Sequence, residues 1–164
     1  MSGLEYRPLK HHTFSMQPSF VHLHVHTEYS LVNGTVRVPR LARSVADMGM
    51  PAVAVTDQSN LFSMVKFYRA AMAAGIKPVV GVDLWVADGS GTERPARVVL
   101  LCRHHEGYLN LTELVSRTYT EGQHRGHPVL EKSWLEGHSE GLIALSAGRA
   151  GDIGQALLAN KPER

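Results

Sequence analysis

Between Phe20 and Ala147 the chain alternates short apolar runs of strand length with longer stretches whose apolar residues recur at helical spacing. That order is the pattern of β–α units, whose strands lie parallel and whose helices cover the sheet. FVHLHV has period two, with Val21, Leu23 and Val25 to one side and His22, His24 and His26 to the other, and reads as the first strand. VRVPRLARSVADMGMP spaces Val38, Leu41, Ala42, Val45 and Met48 as one helical stripe, with Pro39 in its first turn and Gly49 as a stop signal. PAVAVTD suits a strand covered on both faces. LFSMVKFYRAAMAAG reads as a second helix with Leu61, Met64, Val65, Tyr68 and Met72 along one side, ending at Gly75.

KPVVGVDLWVAD and RVVLLCRH read as two more strands, joined by SGTERPA as an exposed turn or hairpin tip. The stretch EGYLNLTELVSRTYTEG carries Tyr108, Leu111, Val115 and Tyr119 at helical spacing, and GQHRGHP is a loop leading into VLEKSWLEG. GLIALSA closes the series as a strand, and AGDIGQALLAN as a helix. Residues 1 to 18 lack any steady period and form an irregular leader. About five strands are too few for a closed (β/α) barrel, which typically needs about 250 residues. The pattern therefore leaves a small open sheet or part of a larger domain.

Composition narrows the functional classes. The chain has 164 residues, 43% hydrophobic and 20% charged, a globular balance that excludes disordered and collagen-like classes. Seventeen Lys plus Arg against fifteen Asp plus Glu leave a formal charge of +2 without a run of one sign, too weak a bias for a nucleic-acid face. The single Cys102 lies in VVLLC and reads as a buried free thiol; without a disulfide framework, a reducing cytoplasm is the expected compartment. No apolar run reaches the roughly 18 residues of a membrane span.

Ligand-type side chains gather at the ends of consecutive strands, where parallel α/β architectures place their chemistry. His24 and His26 follow the first strand, Thr56-Asp57-Gln58 the second, and Asp83 lies in the third. On a strand, residues two apart face one side, so His24 and His26 can present imidazole nitrogens to one divalent cation, with neighbouring carboxylates completing the shell. Such a cation could activate water against a phosphoester. Asp57 serves equally well as a helix cap or loop acceptor. Asp83, among apolar residues, needs a partner: a cation, a histidine or a backbone donor. His22 lies deeper in its strand and suits a structural role. His11 and His12 read as an exposed pair, and His104, His105, His124, His127 and His138 share no spacing and read as solvated. Ser146 stands in a Gly-rich turn that matches neither a nucleophile elbow nor a phosphate loop.

FVHLHVHTEYSLVNG, followed by MGMPAVAVTDQSNLFSMVKFYRAAMAAGIKPVVGVD, resembles the PHP (polymerase and histidinol phosphatase) domain of bacterial replicative polymerase alpha subunits. The resemblance is densest over residues 20 to 86 and continues through YLNLTELVSRTY and EGLIALSAGRAGDIGQALL. It implies a distorted, TIM-like β/α barrel of which residues 19 to 164 form a truncated N-terminal portion. It also implies a metal cluster drawing on the H-x-H pair, an Asp in a D-G turn, a His after T-D and the acid of G-x-E. His24 and His26 keep the pair. Asn33 and Gln58 stand at the D-G and post-T-D positions, and Asp83 at the acidic one; further ligands of the family fall beyond Arg164.

Neutral amides are poorer ligands than a carboxylate and an imidazole, so the resemblance implies a partly dismantled site at His24, His26, Asp83 and Asp57. The expectation is a catalytically silent scaffold without a bound cofactor that docks a proofreading exonuclease subunit. DNA synthesis, DNA contact and the other holoenzyme subunits would belong to the parent chain. The alternative is an active phosphoesterase or 3′-5′ exonuclease using zinc, manganese or magnesium. A partial barrel is further expected to expose strand edges and apolar surface.

Overall fold

The computed structural model describes residues 20–87 and 95–160, so the expected leader and nearly all of the SGTERPA turn lie outside the described residues. Four helices are described: α1 (Val38–Asp47), α2 (Met64–Ala73), α3 (His105–Thr120) and α4 (Asp152–Leu158). The six strands are β1 (Ala52–Val55), β2 (Lys77–Ala87), β3 (Ala96–Cys102), β4 (Gln123–His124), β5 (His127–Glu131) and β6 (Leu142–Leu145).

The strands form one open mixed sheet in the order β4-β5-β2-β3-β6, with β1 also paired to β2. β1 and β5 both run parallel to β2, β1 beside Lys77–Val80 and β5 beside Trp85–Ala87. β3 runs antiparallel to β2, and β6 antiparallel to β3. The sheet is thus mixed: the parallel units expected from the alternation hold for β1, β2 and β5, while β2 and β3 pair antiparallel, as the expected hairpin requires. Only residues 88–95 separate β2 from β3, fewer than the dozen or so that a parallel crossover needs, so the two strands pair antiparallel.

Two layers of core hold the sheet. Val82, Leu84, Val86, Leu100 and Leu130 turn one face toward Leu111, Leu114 and Val115 of α3. Around β1, Val53 and Val55 meet Val38, Ala42 and Val45 of α1 and Phe67 and Ala71 of α2. Each large apolar side chain so buried contributes roughly 1.5–3 kcal/mol. Gly81 lets the sheet close up locally, since a Cβ there would lie 2.6 Å from Leu100 O and 2.9 Å from Thr56 Cγ2.

Three expectations are corrected. On α2 the buried residues are Phe67 and Ala71, an i, i+4 pair against α1, while Val65, Tyr68 and Met72 are exposed. The helix carries apolar residues on two sides, and the packing of α1 selects the other one. GQHRGHP is a hairpin rather than a loop: Arg125 (φ 51°) and Gly126 (φ 81°) make a two-residue turn joining β4 to β5. FVHLHV is extended but forms no regular ladder. His22 O and Val25 O accept from the N–H groups of Ala54 and Thr56, three residues against two, because the Val25 N–H is taken by Thr56 Oγ1 at 3.0 Å.

Candidate metal centre

β2 supplies the centre's carboxylate. Asp83 is 1% exposed and sits on the face of β2 opposite the α3 core. Across the ladder Asp83 faces Val99, and Trp85 faces Arg97. Arg97 is therefore the diagonal neighbour of Asp83 on the same face, a separation that a long side chain spans. Its Nε donates to Asp83 Oδ1 at 2.7 Å and its Nη2 donates to Oδ2, a bidentate fork. The guanidinium also lies 4.5 Å from the ring centroid of Trp85.

The two histidines approach from the other side. His24 Nε2 lies 2.8 Å and His26 Nε2 2.9 Å from the same Asp83 Oδ2, and the two nitrogens are 3.3 Å apart. Burial pushes the Asp83 carboxyl upward, but the bonds from His26, Arg97 and His24 and the Arg97 charge outweigh it and hold the group down at about 2. At neutral pH Asp83 is thus an anion that only accepts, so each Nε2 bonded to it carries the proton it donates.

Of the residues singled out from the sequence, the structure brings together His24, His26 and Asp83, a group whose ligand atoms lie within 4.8 Å of one another and which could hold a metal ion. Asp57 lies elsewhere, in a cage of neutral donors. Its Oδ1 accepts from Thr27 N–H (2.6 Å), Thr27 Oγ1 (2.9 Å) and Ser30 Oγ (2.7 Å), and its Oδ2 from Ser63 Oγ (2.5 Å) and Thr27 Oγ1 (2.8 Å). The amide of Asn33 donates to Gln58 Oε1, so the two amide positions bond each other. His22 is exposed and meets Phe20 edge-on, and His138 bridges Trp134 O and Glu113. The Cys102 thiol is pushed up to about 11 by burial, which leaves it protonated.

Arg97 is the member of this centre that sequence reasoning missed. Its signal was present: Asp83 demanded a partner, and Arg97 is the single charge in the strand ARVVLLC that follows.

The donor types suit a transition metal, but their arrangement does not. A tetrahedral ion with bonds of about 2.0–2.1 Å keeps its ligand atoms about 3.3 Å or more apart. The histidine nitrogens stand 2.8 and 2.9 Å from Asp83 Oδ2, which is hydrogen-bond contact, and they point protons rather than lone pairs at it. With Arg97 forked onto the carboxylate, the residues present do not fit an ion.

A model of the PHP domain family matches residues 22–164. The chain belongs to that family. Within it, the chain is 56% identical over 143 residues to the DNA polymerase III subunit alpha of Pseudomonas aeruginosa. It is 44% identical over 141 residues to that of Vibrio cholerae, and 43% over 142 residues to that of Escherichia coli K12. These alignments cover 86–87% of this chain, which spans about an eighth, 12%, of each relative. Among solved structures, a metal-dependent phosphoesterase from Bifidobacterium adolescentis aligns over 61% of the chain and 32% of its own, at 14% identity and a TM-score of 0.45.

Proposed function

We propose that this chain is the PHP region of a cytoplasmic replicative DNA polymerase, barrel-like in its complete form, and that the region is a catalytically silent scaffold on which a proofreading exonuclease subunit docks. DNA synthesis, contact with DNA and the other holoenzyme partners belong to the parent chain. One observation carries the silent reading: Arg97 holds both oxygens of the carboxylate that a hydrolytic ion would need. The neutral, mutually bonded side chains of Asn33 and Gln58, standing where the family has a carboxylate and an imidazole, support it as well. Phe62, Val65, Tyr68 and Met72, exposed around α2, give apolar surface to the scaffold.

Two measurements test this. Titration of the exonuclease subunit into the chain should show saturable association, and its absence would remove the docking role. Incubation with a 3′-labelled DNA and manganese should release nothing.

The convergence of His24, His26 and Asp83 favours a second reading, a metal-dependent phosphoesterase or 3′-5′ exonuclease that uses zinc, manganese or magnesium. On that reading the DNA end is hydrolysed and His24→Ala abolishes the reaction.

A further inference from the structure

We propose that Arg97 is the resident cation of this centre: its guanidinium takes the place of a divalent ion on Asp83, and its removal turns His24, His26 and Asp83 into a divalent-cation site. The inference rests on the silent reading above and names the residue that enforces it.

Valence is the first argument. An ionised carboxylate offers about four lone-pair sites. The Arg97 fork takes one on each oxygen, and His24 and His26 both bond Oδ2. Oδ2, the oxygen that both imidazoles face, thus carries three donors on two lone pairs, and an ion held between it and the histidines would have to displace one. Charge is the second. The guanidinium is a fixed positive charge on the carboxylate and repels a divalent ion from it. Position is the third. Arg97 is 14% exposed, stacked on Trp85 and anchored in the ladder opposite it, so its head cannot turn out to solvent without leaving both partners.

The amides of Asn33 and Gln58 do not explain this closure. The Asn33 amide donates to Gln58 Oε1, and neither side chain hydrogen-bonds Asp83 or the histidines among the described residues. The block therefore sits in one side chain, and a single substitution should lift it. With Arg97 replaced by a neutral residue, Asp83 becomes a buried anion facing two imidazoles, whose tautomers can shift to present Nε2 lone pairs to an ion.

The test uses zinc chloride and the 164-residue chain as wild type, Arg97→Met, Arg97→Gln, and Arg97→Met combined with His24→Ala, with folding checked by circular dichroism. Zinc is counted by elemental analysis after dialysis and titrated by calorimetry. Wild type should retain no stoichiometric zinc. Arg97→Met should bind one zinc at least about a hundredfold more tightly, the scale expected from removing a like charge a few ångströms from a divalent ion. His24→Ala should cancel that gain, which separates the centre from the exposed histidines. Arg97→Gln, neutral but still able to donate to Asp83, carries the same expectation should Arg97→Met fail to fold. Folded variants that bind no zinc would overturn the role of Arg97 while leaving the silent scaffold standing. A wild-type chain holding one tight zinc that depends on His24 would overturn both.

Discussion

Asp57, just beyond β1, and Asp83, on the neighbouring parallel strand β2, are two buried carboxylates, each 1% exposed, and the chain stabilises them by opposite means. Asp57 is surrounded by three hydroxyls and a backbone N–H, all neutral and all within reach because Thr27, Ser30 and Ser63 converge on it. Asp83 is surrounded by a guanidinium and two imidazoles. A cage of neutral dipoles ties three backbone segments together and offers an ion nothing. A cage of cationic and basic groups keeps the residue types of a reactive centre while closing it to one. The pair shows that burial of an acid does not by itself mark a site; the chemistry of its donors does.

The contrast can be broken experimentally. The largest effect is expected from Asp57→Ala, which leaves the hydroxyls of Thr27, Ser30 and Ser63 and the Thr27 N–H without their shared acceptor. Urea unfolding should show a loss of about 4 kcal/mol, enough to leave the chain partly unfolded. Next comes Asp83→Ala, which strands the largely buried guanidinium and should destabilise by about 3 kcal/mol. Combining it with Arg97→Met should recover more than half of that loss, whereas no single partner change rescues Asp57→Ala.

Acid titration sharpens the same comparison. Asp83 is held at about 2 in the folded chain against an ordinary 3.8, so the folded state resists its protonation. The resulting stabilisation, roughly 2 kcal/mol, is fully present above about pH 4 and is lost as pH falls through about 2. Urea midpoints measured between pH 5 and 2 should fall along this profile, and the Asp83→Ala, Arg97→Met pair should lose that part of the slope. Ser63→Ala removes one of the several donors to Asp57 and should cost about 1 kcal/mol in the same assay. Asn33→Ala breaks only an exposed amide contact, and a change beyond about 0.5 kcal/mol would show that the Asn33–Gln58 pair matters more than its exposure implies.

Local patterns in the sequence reached some of these features and not others. Periodicity located α1, β2 and β3, where one apolar pattern dominates each segment, and found α2 as a helix. It failed on the orientation of α2, where Phe67 and Ala71 compete with Val65, Tyr68 and Met72 and only the presence of α1 decides between them. It missed the β4–β5 hairpin because Arg125 adopts a left-handed conformation that its residue type does not advertise. His24, His26 and Asp83 were readable from spacing and from the resemblance they carry. The separation of Asp57 from them was not, since it depends on where Thr27 and Ser63 fall in space. Arg97 was hidden because diagonal neighbours across an antiparallel ladder are set by register, and register follows from the length of a turn.

Strand β2 is bonded along both edges through its second half, to β3 on one side and to Asp57 and then β5 on the other. Its amides cannot meet solvent until the whole sheet opens, so they should be the last in the chain to exchange hydrogen for deuterium. The segment bearing His24 and His26 is held to β1 by two carbonyl acceptors and one hydroxyl, and its amides should exchange far sooner. Asp83 and Arg97 thus belong to the slowest-breathing part of the molecule and the histidines to a faster one. Exchange in that order would make the centre a fixed ion pair visited by two imidazoles.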